Sequence, residues 1–327
     1  MTKILAASNG FVNLSMKKEP GAILRKTGFQ IDLNEKGKPY TEEELLAIID
    51  DYEAIVVGTE PMTKRVIEKG KKLKIIAKNG VGYDNIDVNA ASENGIFVTI
   101  APGVNQNSVA EGAIALMLAL SKNITLGNAT IRKGLWKRTI GRDLYHKKLG
   151  LVGLGRIGQR VALLAKAFGM EIYAYDPFID HDFCQVNGIE IMEMDQLLMT
   201  CDYVSLHLPL NDQTRNFIDA KKLSLMKSDS FLINTARGGL VDESALYQAL
   251  KEKRISGAAI DVYSQEPPPA DFKLFELDNV VLTPHNAGYS EEIIIQTGFL
   301  VVESLITALN NEIPPNSLNA ADLVHHK

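Results

Sequence analysis

Short apolar runs alternate with amphipathic stretches along the whole chain, the pattern left when strands and helices take turns. In the first third, apolar runs at 3–7, 29–33, 54–57, 73–77 and 96–99 predict strands. Helical periodicity fills most of the gaps between them. Over 41–50, Thr41 is placed to cap a helix and Glu44, three residues on, completes a capping box. A long apolar helix is expected over 107–121, opened by Ser108. A second alternating series starts at Leu149, with strands expected at 149–152, 171–175, 203–206, 230–234, 255–261 and 280–282. Several of these are nearly continuous apolar runs, as strands buried on both faces require. A helix over 292–309 and a Pro-bearing extended tail close the chain. Such alternation predicts an α/β protein with parallel sheets covered by helices.

Composition narrows the picture. The 327 residues, 46% hydrophobic and 23% charged, suit two folded domains, each able to bury a core. Thirty-five Lys and Arg against 40 Asp and Glu leave a net charge of -5, without the basic excess of a nucleic-acid binder. The strongest uninterrupted apolar run, 112–120, is too short to span a bilayer, and the N-terminus lacks a signal-peptide layout. Only Cys184 and Cys201 occur, with no CxxC pair, so neither a disulfide framework nor a metal site is expected and a reducing cytoplasm suits the chain. The Gly- and basic-rich stretch 127–148, containing Trp136, is too polar for a core. It reads equally as an arm or helix against a partner subunit and as a surface loop.

The sharpest local motif is Gly153, Gly155 and Gly158, a GxGxxG directly after an apolar strand and at the start of a helix. The first glycine permits the tight turn, the second lets a pyrophosphate approach the backbone, and the third lets the helix pack on the strand. The helix N-terminus then offers N–H groups to the anion. Asp176 ends the next strand, 18 residues beyond Gly158. A carboxylate there accepts from ribose hydroxyls and repels a 2′-phosphate, so the motif points to NAD over NADP. Arg156 is placed to meet the pyrophosphate, with a solvated loop arginine as the alternative.

Three further segments follow predicted strands in the same half: one carries Arg237, one Asp261 and Glu266, one His285. Oxidising a 2-hydroxy acid needs a base for the hydroxyl proton while hydride leaves carbon. A histidine suits that task because it titrates near neutrality. A carboxylate such as Glu266 can orient the ring and raise its pKa, and an arginine fork can bind the substrate carboxylate.

With these residues in place, the chain resembles the D-isomer-specific 2-hydroxyacid dehydrogenases. The resemblance runs through NGVGYDNID (79–87), SVAE (108–111), GLGRIG, HLPL (207–210), NTARGGLVDE (234–243), DVYSQEP (261–267) and LTPHNAGYS (282–290). It implies two flavodoxin- or Rossmann-like doubly wound domains, with an NAD-binding domain at 101–288 inserted into a substrate-binding domain at 1–100 and 289–327. Chain crossings near Ile100 and Tyr289 would then form a hinge. It implies Arg237 as the substrate contact, Glu266 as the orienting acid and His285 as the acid/base. It implies that Ile157, Pro177, His207, Pro209, Thr214, Thr235, Ala236, Asp261 and Gly288 join the glycines, Arg156 and Asp176 around NAD. Substrate contacts fall on Lys78, Asn79, Val81 and Gly82, with the backbone at Val81 and Gly82 holding the substrate carboxylate.

A homodimer through the NAD-binding domain is implied as well. The expected substrate is 3-phosphoglycerate, because Lys78 stands where phosphoglycerate dehydrogenases of the family often carry arginine and could meet a phosphate. A strand-end lysine in solvent is the alternative. Asn286 departs from the apolar residue that many members carry after the histidine. The serine-sensing domain of longer phosphoglycerate dehydrogenases is not expected after residue 327. Glyoxylate/hydroxypyruvate reductase and D-lactate-type activity stay open, as does, more remotely, an NAD-sensing protein without catalysis.

Overall fold

A computed structural model describes residues 2–324. The chain forms two compact units, one running to Asn105 and resuming at Ser290, the other Gln106–Tyr289. The first break falls five residues beyond the expected 100/101 boundary. The reason is local: Ala101 is fully buried and its N–H donates to the Gly80 carbonyl at 2.9 Å, tying 101–105 to the first unit.

The first unit holds five parallel strands, β1 (Lys3–Ala6), β2 (Gln30–Leu33), β3 (Ala54–Val57), β4 (Ile75–Lys78) and β5 (Phe97–Thr99). Their order is β2-β1-β3-β4-β5, so the winding reverses between β1 and β3. The inner strands β3 and β4 are buried along their whole length. Leu5, Ile55 and Ile76 pack on one side against Leu45, Val66 and Ala91. Ile4, Val56 and Ala77 pack on the other against Val301, Leu305 and Ala308. The Thr41–Glu44 capping box is formed in both directions ahead of the helix Glu42–Ile48.

Two expectations need correction in this unit. The helix Glu291–Leu309 is long and apolar enough to cross a membrane by length and composition, although 112–120 is the strongest uninterrupted run. Gln296, Thr297, Glu303 and Ser304 break its apolar run without lowering its average far, and half of it is buried against the sheet. The tail is not extended throughout. Asn319 is buried, accepting from Val98 N–H at 3.0 Å and donating to the Ile96 carbonyl at 2.9 Å, and a short helix, Ala320–Val324, follows it.

The second unit holds seven parallel strands, β6 (Lys148–Val152), β7 (Glu171–Tyr175), β8 (Glu190–Ile191), β9 (Tyr203–Leu206), β10 (Phe231–Asn234), β11 (Gly257–Ile260) and β12 (Val280–Leu282). The order β12-β11-β10-β9-β6-β7-β8 reverses between β6 and β9. The two-residue edge strand β8 is exposed, so no apolar run announces it. The helices Gln106–Ser121 and Arg156–Ala167 cover one face through Ala113, Met117, Val161 and Ala165. In the 127–148 stretch, a helix Ile124–Arg132 buries none of its residues. Beyond it Trp136 and Ile140 are 87% and 97% exposed.

Candidate active site

In the second unit, β6 runs into a turn that only glycine can make. Gly153 has φ +99°, and a Cβ there would lie 2.8 Å from the backbone carbonyl of His207. A Cβ at Gly158 would meet the Gly153 carbonyl oxygen at 2.2 Å, so the helix rests directly on the turn. At Gly155 a Cβ would meet nothing within 4 Å, which leaves an open cradle at the helix N-terminus. That terminus has Gly155 as its N-cap and no side-chain cap. Its N–H groups suit a pyrophosphate. Arg156 is exposed beside it, and Ile157 packs half-buried against the core.

Asp176 ends the next strand. Its Oδ2 accepts from Leu154 N–H at 2.6 Å and its Oδ1 from Phe178 N–H at 2.8 Å. Each oxygen keeps a lone pair for a ribose hydroxyl. Pro177 sits between those two clamps. At the end of β9, His207 Nε2 pairs with Ser205 Oγ at 2.9 Å. Protein atoms desolvate the ring although part of its surface stays open, and its pKa is pushed down to about 4. The Thr214 hydroxyl donates to the Pro209 carbonyl at 2.7 Å and accepts from Asn211 N–H at 2.8 Å, so it shapes the loop itself. Thr235 Oγ1 is buried without a hydrogen-bond partner, as expected of a group awaiting a ligand. Ala236 follows it half-buried, and Gly288, itself half-buried, lies in the loop after β12. The cradle, the ribose carboxylate and the orphaned hydroxyl together fit a dinucleotide.

The ends of β10, β11 and β12 bring the candidate chemistry together. Asn234 bends the chain for Arg237, donating to the Arg237 carbonyl at 2.8 Å and accepting from Ala236 N–H at 3.1 Å. The next residue, Gly238, lies flush on the loop after β11. A Cβ there would be 1.9 Å from the Tyr263 carbonyl carbon. Glu243 Oε1 locks the same contact by accepting from Ser264 N–H at 2.8 Å. Glu266 then uses both oxygens, Oε1 accepting from Tyr263 N–H at 3.1 Å and Oε2 meeting His285 Nδ1 at 2.7 Å. Burial raises the Glu266 carboxyl, but hydrogen bonding and charge from His285, the Tyr263 N–H and the charge of Arg237 hold it below its usual value.

His285 has φ +52°, a left-handed conformation for a residue with a Cβ. Asp261 supports it. Its backbone carbonyl accepts from His285 N–H at 2.8 Å. Its carboxylate accepts from Thr283 Oγ1 at 2.6 Å, Asn286 N–H at 2.9 Å and Ala287 N–H at 3.0 Å. At 1% exposure Asp261 holds the histidine loop, a task that its position on the cofactor side of the motif does not reveal. Asn286 contributes a backbone N–H that any residue would supply. Tyr263, Thr283 and Glu243 escape sequence reading because their contacts are made only in the fold. Tyr263 OH donates to the Thr283 carbonyl at 2.9 Å.

The remaining candidates lie in the first unit. Lys78 ends β4 and is buried, with its ammonium donating to the Gly58 carbonyl and to Asn85 Oδ1. Asn79 Nδ2 donates to Ser8 Oγ at 3.1 Å, while its buried Oδ1 has no partner. Val81 and Gly82 continue the loop, half-buried. Among the described residues no group of three or more His, Cys, Asp or Glu is arranged to hold a metal ion.

The model of the family described as "D-isomer specific 2-hydroxyacid dehydrogenase, NAD binding domain" matches residues 114–287. The D-3-phosphoglycerate dehydrogenase of Methanocaldococcus jannaschii is 45% identical over 292 residues, covering 88% of this chain and 55% of that protein. The glyoxylate reductase of Korarchaeum cryptofilum is 42% identical over 298 residues, covering 89% of this chain and 90% of that protein. The chain thus spans about half the length of the first relative and nearly all of the second. The D-lactate dehydrogenase from Aquifex aeolicus, solved with NAD and lactic acid, superimposes with a TM-score of 0.85 at 28% identity, over 97% of this chain and 99% of that one. The chain belongs to the D-isomer-specific 2-hydroxyacid dehydrogenases, a family of NAD-dependent oxidoreductases acting on CH–OH donors.

Proposed function

We propose that this chain interconverts a D-2-hydroxy acid and its 2-oxo acid, with Arg237, Glu266 and His285 as the chemical residues. The observation that carries the reading is the 2.7 Å pair of Glu266 Oε2 and His285 Nδ1 in the unit that holds the dinucleotide turn. With Nδ1–H directed at Glu266, Nε2 at the other edge of the ring takes the hydroxyl proton in oxidation and returns it in reduction. Glu266 fixes the ring and stabilises the imidazolium. The Arg237 fork binds the substrate carboxylate and polarises the adjacent carbonyl. NAD, when bound, accepts the hydride. Asp176 orients its ribose, and Thr235 offers a hydroxyl to its nicotinamide side. Backbone at Val81 and Gly82 holds the substrate carboxylate in the first unit.

For the substrate, the short unphosphorylated acids glyoxylate and hydroxypyruvate are favoured. Lys78 is buried and already engaged, which weakens the case for a phosphate contact. 3-Phosphoglycerate is the second reading, supported by the 45% identical relative. The exposed apolar stretch with Ile131, Leu135, Trp136 and Ile140 favours a homodimer through the NAD-binding unit. Two buried free thiols, Cys184 and Cys201, suit a cytoplasmic setting.

The test is NADH oxidation over glyoxylate, hydroxypyruvate, 3-phosphohydroxypyruvate and pyruvate. His285→Ala should lower turnover about 10²-fold or more while NADH binding by fluorescence persists. Turnover close to wild type would remove His285 from the acid/base role.

A further inference from the structure

The carboxyl end of the first unit's sheet carries a buried charged cluster that the proposed chemistry leaves unused. Glu60, in the segment after β3, is 1% exposed, and its Oε2 accepts from Gly58 N–H at 2.5 Å. The Lys78 ammonium donates to the carbonyl of the same Gly58 and to Asn85 Oδ1. Asn85 closes the cluster, donating to the Glu60 carbonyl at 2.6 Å and to the Gly58 carbonyl at 3.2 Å. A carboxylate and an ammonium therefore grip one glycine through its N–H and its carbonyl. A Cβ at Gly58 would lie 3.1 Å from Ser8 Oγ and 3.5 Å from Glu60 Oε2. Ser8 in turn accepts from Asn79 Nδ2. The cluster thus spans the ends of β1, β3 and β4, around the reversal of winding where open α/β sheets build their sites.

Burial holds the Glu60 carboxyl above its usual value, against the backbone N–H groups and the Lys78 charge, which favour its ionised form. A buried ammonium without a counter-charge is costly, and a neighbouring carboxylate offsets that cost. The same carboxylate removes what a phosphate ligand needs, an uncompensated cation with donors to spare.

We propose that Glu60 is a specificity-determining residue: by compensating Lys78 it reserves the adjoining 79–82 loop for substrates whose one anionic group is the C1 carboxylate, and it selects against a second anionic group such as a phosphate. The inference rests on the reading that this loop holds the substrate.

Hydroxypyruvate and 3-phosphohydroxypyruvate differ only by the phosphate, so their kcat/KM ratio with NADH measures the discrimination directly. The wild-type enzyme should favour hydroxypyruvate. Because juxtaposed like charges cost several-fold to many-fold in affinity, Glu60→Gln should move the ratio at least about tenfold toward the phosphorylated acid, chiefly through KM. Glu60→Asp, which keeps the charge, should stay near the wild-type ratio. General damage to the fold would lower both substrates together and leave the ratio in place. A wild-type preference for the phosphorylated acid overturns the inference without any variant, and so does a ratio unmoved in Glu60→Gln. If no oxo acid oxidises NADH, the proposed reaction falls. Calorimetric affinities of glycerate and 3-phosphoglycerate for wild type and Glu60→Gln then decide the role of Glu60: the same shift supports it and equal ratios overturn it.

Discussion

Single side chains in this protein work by what they are already bonded to. Asp261 accepts three hydrogen bonds from the loop that holds His285 in its left-handed conformation. Asp261→Asn turns one acceptor into a donor facing N–H groups, and each buried donor left unpaired costs about 1–3 kcal/mol. Turnover should fall at least tenfold, because the histidine is released from its place. Turnover at the wild-type level would show that the loop holds itself. His207 has its folded pKa lowered to about 4 from 6.5, so it contributes stability fully above pH 6.5 and loses it as pH falls toward 4. Glu266, held below its usual 4.5, loses its contribution as pH falls further still. Melting temperatures should therefore decline from pH 6.5 downward, and His207→Gln should flatten the decline between 6.5 and 4. Parallel profiles for the two proteins would contradict the assignment.

At the level of elements, the site is a set of interlocked strand-end loops. Gly238 has no room for a side chain because the Tyr263–Ser264 peptide lies against it, and Glu243 bonds the same peptide. Gly238→Ala must push these loops apart. A displacement near 1 Å at a catalytic group costs roughly 10²-fold in rate, so turnover should collapse together with a drop in melting temperature. Wild-type values for both would disprove the interlock. Most strands, the capping box at Thr41 and the glycine turn at 153–158 were legible in the sequence, because periodicity and turn chemistry are local. The edge strand β8 was not: two exposed residues carry no period. The short helix at Ala320–Val324 was missed as well, since Asn319 anchors the tail through partners more than 220 residues away.

At the scale of the whole molecule, the 124–145 region leaves apolar side chains in water, Trp136 most prominently. Aromatic anchors at interfaces are worth about 2 kcal/mol or more, so Trp136→Ala should weaken a dimer about 30-fold or more in sedimentation velocity. An unchanged association constant would assign the segment to the surface. The sequence by itself determined the alternation of elements and the dinucleotide turn, since each is written in adjacent residues, and it singled out Arg237, Glu266 and His285 as candidates. Only the tertiary structure decided that Glu266 and His285, 19 residues apart, meet at 2.7 Å, and that Asp261 serves the histidine loop. It also decided that Lys78, which reads as either a cation for a phosphate or a strand-end lysine in solvent, is buried against Gly58 and Asn85 beside Glu60. These outcomes depend on which strand ends become neighbours, and strand order is fixed by packing both faces of a sheet at once, a condition that no local stretch of sequence records.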